Sequence, residues 1–122
     1  AAALWREAIH LAAEGVADVE DIDKALYAGP GLRWAIMGQH LTYHLGGGEG
    51  GYRHFIEKIG NSFEEYWKDM PAWTQIPADA KEKVIHGVQD MVEGREYDEL
   101  CAERDEKLIA IIKALYEDRS TT

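Results

Sequence analysis

Residues 46 to 51 read Gly46-Gly47-Gly48-Glu49-Gly50-Gly51, a literal match to the dinucleotide fingerprint G-x-G-x-x-G, and they decide between two fold classes. A nucleotide site needs a buried strand that delivers a pyrophosphate to the amides of a helix N-terminus. It also needs a second parallel strand with an acidic residue about 20 positions further on. Residues 41–45, Leu41-Thr42-Tyr43-His44-Leu45, alternate like a short strand, and residues 52–59 suit a helix. The second strand is missing, because Asn61-Ser62-Phe63-Glu64-Glu65-Tyr66-Trp67 reads as a capped helix and no run of β-branched residues follows. Five glycines in six residues satisfy the pattern cheaply. The segment is read as a flexible helix-to-helix connection, and no cofactor is expected on this chain.

The rest of the chain is helix after helix. Residues 4–14 place Leu4, Ala8, Leu11 and Ala12 at three-to-four spacing, with Gly15 as C-terminal cap. Asp18 is an N-cap for a short helix whose inner face carries Ile22, Ala25 and Leu26. Gly29-Pro30-Gly31 breaks the chain, and a continuous helix is predicted over residues 32–45. Residues 52–59 form a further helix, and Asn61 with Glu64 makes a capping box for the next, which Pro71 ends. Pro77 opens a helix over residues 80–92, closed by Gly94. The last helix, residues 97–117, begins charged and ends in the stripe Leu108, Ile111, Ile112 and Leu115, ahead of the polar tail Arg119-Ser120-Thr121-Thr122. The predicted fold is all-α, one domain over residues 1–122.

Charge and composition exclude several partners. A net charge of −10 argues against nucleic acid and anionic membranes. The single Cys101 rules out an internal disulfide framework and fits a reducing, cytoplasmic setting. The amino end carries Glu7, His10 and Glu14 and lacks a charged n-region, so no signal peptide is expected. No apolar run approaches the ~20 residues of a membrane helix.

Catalytic and metal-binding groups are sparse. His40 and His44 share a helical face, and His54 or Glu49 can complete a metal site, yet no His-Glu-x-x-His arrangement occurs and hydrogen-bonded structural histidines are the plainer reading. Acids on both sides of Cys101 oppose a nucleophilic thiolate. Glu64 and Glu65, or Asp21 and Asp23, pair carboxylates, but helix amino ends collect acids for electrostatic reasons alone. Neither a catalytic residue nor a metal is expected. Trp34, Tyr43, Tyr52 and Phe55 flank the glycine connection, with Glu49 inside it. Aromatic faces beside a carboxylate suit a quaternary ammonium group, which cannot donate hydrogen bonds and is held by ring quadrupoles and charge. Plain core packing is the alternative use of the same rings.

Several stretches resemble a known module. They are Ala3-Leu4-Trp5-Arg6-Glu7-Ala8, Glu14-Gly15-Val16-Ala17, Val19-Glu20-Asp21-Ile22-Asp23 and Gly29-Pro30-Gly31-Leu32-Arg33-Trp34-Ala35. Together they are similar to the carboxy-terminal helical domain of the L-3-hydroxyacyl-CoA dehydrogenase family. The stretch from Met37-Gly38-Gln39-His40 to His54-Phe55 and the closing Cys101-Ala102-Glu103-Arg104-Asp105 resemble its L-carnitine 3-dehydrogenase branch, a neighbour of lambda-crystallin and L-gulonate 3-dehydrogenase. The resemblance implies a helical bundle that builds a homodimer and closes one side of a cleft for a small 3-hydroxy acid. An amino-terminal Rossmann domain, outside this chain, would hold NAD and the catalytic histidine with its carboxylate partner. The Asn-Arg-Leu segment that opens the family's first helix is replaced by Ala1-Ala2-Ala3, so the isolated chain is expected to be inactive. A trimethylammonium substrate would suit Trp34, Tyr43, Glu49, Tyr52 and Phe55 as binding residues, with Arg33 facing a carboxylate or the neighbouring domain. Acyl-CoA and gulonate substrates, and a purely structural oligomerisation module, remain the alternatives.

Overall fold

Glycine, proline and one aspartate set the boundaries of the elements. In the computed structural model, which describes residues 1–117, every regular element among the described residues is helical. Helix α1 (Ala2–Ala13) ends at Gly15, whose φ of 73° lets the amide of Val16 reach back to the carbonyl of Leu11 at 3.0 Å. That left-handed turn satisfies carbonyls that the last turn leaves open. Helix α2 (Val19–Ala28) starts where the Asp18 carboxylate accepts from the Asp21 amide at 2.8 Å. Glu20 and Asp21 follow in its first turn, where the helix dipole favours acids. Pro30 opens α3 (Pro30–Trp34) without losing a needed donor.

Two expectations fail here, each for a local reason. The helix predicted over residues 32–45 is two helices, because the chain leaves α3 after Trp34 and re-enters helix as α4 (Gln39–Gly46). Gly38 is extended at φ −85° and ψ −172°, and its carbonyl accepts both the Thr42 amide and the Thr42 hydroxyl. The break leaves Leu32 and Ile36 71% and 67% exposed, so neither anchors a continuous apolar face. Conversely, the helix predicted over 52–59 and the capped helix after it are one element, α5 (Gly51–Asp69). Asn61 and Glu64 lie inside it, so no free helix start exists there for a capping box to close.

The chain divides into two compact units, Ala1–Val88 and a second from Gln89 onward. The cut falls within α6 (Ala78–Met91), whose first turn follows Pro77 as expected. In the first unit α2 packs on α1 and α3, and α4 packs along α5. Ile9 and Ala80, each 3% exposed, are its fully buried apolar residues. Lys83 donates to the Ala13 carbonyl at 2.7 Å and Arg6 to the Trp73 carbonyl at 3.3 Å, tying α6 and the connection before it to α1. The second unit is built on α7 (Tyr97–Ile112), which continues into a π turn at Lys113–Glu117. Gly94, with φ 79°, ends the chain's approach to it. Glu103 on α7 accepts from Lys107 and from Arg95, so the loop ahead of α7 is clamped onto the helix. The tail from Arg119 to Thr122 lies outside the described residues. No helix among the described residues is long and apolar enough to cross a membrane.

Candidate functional site

The glycine cluster is a hairpin between α4 and α5. Residues 41–45 belong to α4 and Gly48–Gly50 form a single 3-10 turn, so the strand that the fingerprint requires is absent. The backbone folds so tightly that a Cβ on Gly47 would lie 1.9 Å from the Gly51 carbonyl oxygen. Gly51 itself sits at φ 67°, and a Cβ there would meet the His44 imidazole at 2.8 Å. These glycines serve helix-to-helix approach, and the turn presents no helix N-terminus fed by a strand to a pyrophosphate.

His44 takes a structural part in the hairpin. Its Nδ1 accepts from the Tyr52 amide at 3.1 Å, one of the amides that the first turn of α5 leaves without a helical partner. Gly50, at the N-cap, has no side chain to do this work. One turn earlier on α4, His40 Nδ1 lies 3.0 Å from the Tyr52 hydroxyl, with the two rings edge to face at 5.7 Å. Both histidines are thereby spent on hydrogen bonds. No group of three histidine, cysteine or carboxylate side chains among the described residues is arranged to hold a metal ion.

Below this polar pair runs an aromatic row. Tyr43 stacks on Phe55 with centroids 4.7 Å apart and planes 13° from parallel. Phe63 packs against both, at 5.6 Å and 5.9 Å, and Tyr66 meets Phe63 edge-on at 5.9 Å. Residues 52, 55, 56, 60, 63, 64 and 67 recur at three-to-four spacing, which puts them along one face of α5. That face and Gln39, His40 and Tyr43 of α4 line a cavity of about 450 Å³ that is open to solvent on one side. Its wall includes Tyr52, Phe55, Glu57, Gly60, Glu64 and Trp67. The volume falls in the range of sites that take small molecules.

The structure brings three of the five expected binding residues to one place. Tyr43, Tyr52 and Phe55 line the cavity, whereas Trp34, at the end of α3, and Glu49, in the 3-10 turn, do not. Arg33 is exposed on α3 and Cys101 is a half-buried free thiol on α7. The cavity also contains residues that sequence reasoning assigned elsewhere or passed over, namely Gly60, Phe63, Glu64 and Trp67. Their signal was the three-to-four spacing, hidden once a helix break was placed at Gly60.

Comparison with known proteins adds the following. Residues 1–98 match the family model described as 3-hydroxyacyl-CoA dehydrogenase, C-terminal domain. An L-carnitine dehydrogenase of Nocardiopsis dassonvillei is 46% identical over 115 residues, covering 94% of this chain and 35% of that protein. L-carnitine dehydrogenases of Streptomyces coelicolor (41% over 112 residues, 92% of this chain and 35% of that protein) and Oceanobacillus iheyensis (42% over 110 residues, 90% and 36%) are similar too. The chain thus spans about a third of the length of the curated relatives it matches.

Proposed function

This chain belongs to the 3-hydroxyacyl-CoA dehydrogenase C-terminal-domain family, and from that premise we propose that residues 1–122 are the dimer-forming, substrate-cleft domain of an NAD-dependent L-3-hydroxy acid dehydrogenase acting on L-carnitine. The observation that carries the proposal is the aromatic cavity between α4 and α5 in a chain similar to enzymes named for a trimethylammonium hydroxy acid. A trimethylammonium group offers no hydrogen to donate, so a site can hold it only through ring faces, methyl contacts and nearby negative charge. Aromatic rings and two carboxylates, Glu57 and Glu64, are what this wall supplies. Tyr43, Tyr52 and Phe55 are assigned to the substrate. Trp34 and Glu49, which do not line the cavity, are not.

The glycine cluster does not offer NAD a dinucleotide cradle, because it lies between two helices and closes on its own backbone. In the proposal the cofactor and the acid–base pair belong to a Rossmann domain elsewhere in a longer protein. The residues here bind and orient the substrate, and no step of the oxidation is derived from them. Exposed apolar side chains such as Leu4, Trp5 and Leu32 on the first three helices fit a domain that is covered by further protein.

The test is a fusion of this chain to the part of the Nocardiopsis relative that lies outside the match, followed by NADH formation on L-carnitine, L-gulonate and L-3-hydroxybutyryl-CoA. Turnover of L-carnitine above the other two is expected. Preference for gulonate or the acyl-CoA would overturn the substrate assignment.

A further inference from the structure

We infer that the lower end of the α4–α5 cavity, formed by Gly60, Phe63, Glu64 and Trp67, is a quaternary ammonium subsite in which Glu64 supplies the counter-charge. The inference deepens the proposed function and rests on its reading of the substrate class, but its argument is local to α5.

Charge comes first. Three of the glutamates in the middle of α5 differ in what they do. Glu57 is paired with Arg53 at 3.4 Å and Glu65 with Lys68 at 2.9 Å. Glu64, on the cavity wall, makes neither hydrogen bond nor ion pair among the described residues. It is not an N-cap partner either, since α5 passes through it without interruption. An unpaired carboxylate beside an aromatic wall is a place for a cation that comes from outside the chain.

Ring faces come second. Tyr43 and Phe55 lie nearly parallel and cover each other's faces, and Tyr52 is turned edge-on to His40. Trp67 meets no other ring among the described residues and is 63% exposed. Three residues after Glu64 on a helix, it stands on the same side as the carboxylate. Indole is the aromatic ring that holds a cation best.

Space comes third. Gly60 stands in the interior of a 19-residue helix, where glycine is a poor residue. Its φ is not left-handed, and a Cβ there would find only Ile56 Cγ2, at 3.8 Å, an ordinary contact. Nothing among the described residues therefore demands a glycine. What its missing side chain does is leave the cavity wall open one helical turn before Glu64.

The experiment uses the 122-residue chain, choline as probe, and 3,3-dimethylbutanol, its neutral carbon isostere, as control. The readout is the indole N–H signals of the four tryptophans by NMR, with Trp67→Phe identifying the Trp67 signal. Saturable movement of the Trp67 signal by choline and none by the isostere is expected. Glu64→Gln should weaken choline binding by about tenfold, the scale of a partly desolvated charge contact. Gly60→Leu, which fills the opening while improving the helix, should abolish the shift and leave the helical spectrum intact. Equal response to both probes, movement at Trp5, Trp34 or Trp73 without Trp67, or no saturable shift up to ~100 mM, far beyond ordinary site affinities, overturns the subsite. Turnover of L-carnitine by the fusion with a silent Trp67 overturns this inference alone; absence of both removes the proposed function as well.

Discussion

Replacing Gly60 by alanine should make this protein more stable, an unusual outcome for a change on a cavity wall. Glycine in a helix interior costs about 1 kcal/mol relative to alanine, because the unfolded chain loses more freedom and no methyl covers the backbone. The new Cβ would meet only Ile56 Cγ2 at 3.8 Å, so no strain offsets that gain. For a chain of this size the gain corresponds to a rise in Tm of roughly 3–6 °C. Gly87 is the internal control, since it is helical too but carries the opposite expectation. A Cβ on Gly87 would come within 2.4 Å of Val19 Cγ2, and a β-branched side chain on α2 has little room to turn away. Overpacking of that kind costs about 1–3 kcal/mol, enough to cancel or exceed the propensity gain. Thermal melts followed by helical circular dichroism would compare both variants with the parent. A lower Tm for Gly60→Ala would refute the reasoning, because it would show that the fold itself needs a glycine there.

Other outcomes are equally open to measurement. Gly51→Ala forces a side chain into φ 67° and onto the His44 ring, and should destabilise the hairpin by about 2–3 kcal/mol in a denaturant titration; an unchanged midpoint would show that the hairpin relaxes freely. Asp18→Ala removes the N-cap of α2 and should cost about 1 kcal/mol, with amide exchange rising first at Asp21. Hydrogen bonds from Lys107 and then Arg95, and their charges, hold the Glu103 carboxyl below its ordinary value. With the folded value depressed, that stabilisation is complete above the unfolded value of about 4.3 and is lost as pH falls through the folded value. Amide protection in α7 should therefore weaken on acidification below about pH 4.3, and Glu103→Gln should remove that part of the acid dependence. Light scattering on the isolated chain should give a concentration-independent dimer; a monomer would place the subunit interface outside these helices.

Much of the architecture is legible in the residues, since punctuation needs no tertiary context. Asp18, Gly15, Pro30 and Pro77 act on the backbone within a few residues, and each bounds a helix as read. The failures share a cause. Gly38 and Gly60 look alike in sequence, yet one breaks the helix and the other is carried through it. The difference is tertiary, because Phe55 and Phe63 on either side of Gly60 pack on Tyr43 of α4, while Ala35, Ile36 and Gly38 are exposed. The cavity suffered in turn. Tyr43, Tyr52 and Phe55 were accessible as rings near the hairpin, but Glu64 and Trp67 join them only when α5 is known to run unbroken past Gly60. Trp34 and Glu49 are near the hairpin in sequence, and nearness in sequence alone does not put a side chain on the cavity wall.

The most direct measurement is the ratio of kcat/KM for L-carnitine to that for its neutral analogue, with tert-butyl in place of trimethylammonium, in the fusion described above. The two substrates share shape and reacting carbon, so the ratio reports recognition of the positive charge. A ratio of roughly 30 or more, falling toward unity in Glu64→Gln, is expected for a cation held by a carboxylate and ring faces. Equal kcat/KM for the two substrates would contradict the claim that this domain recognises a quaternary ammonium.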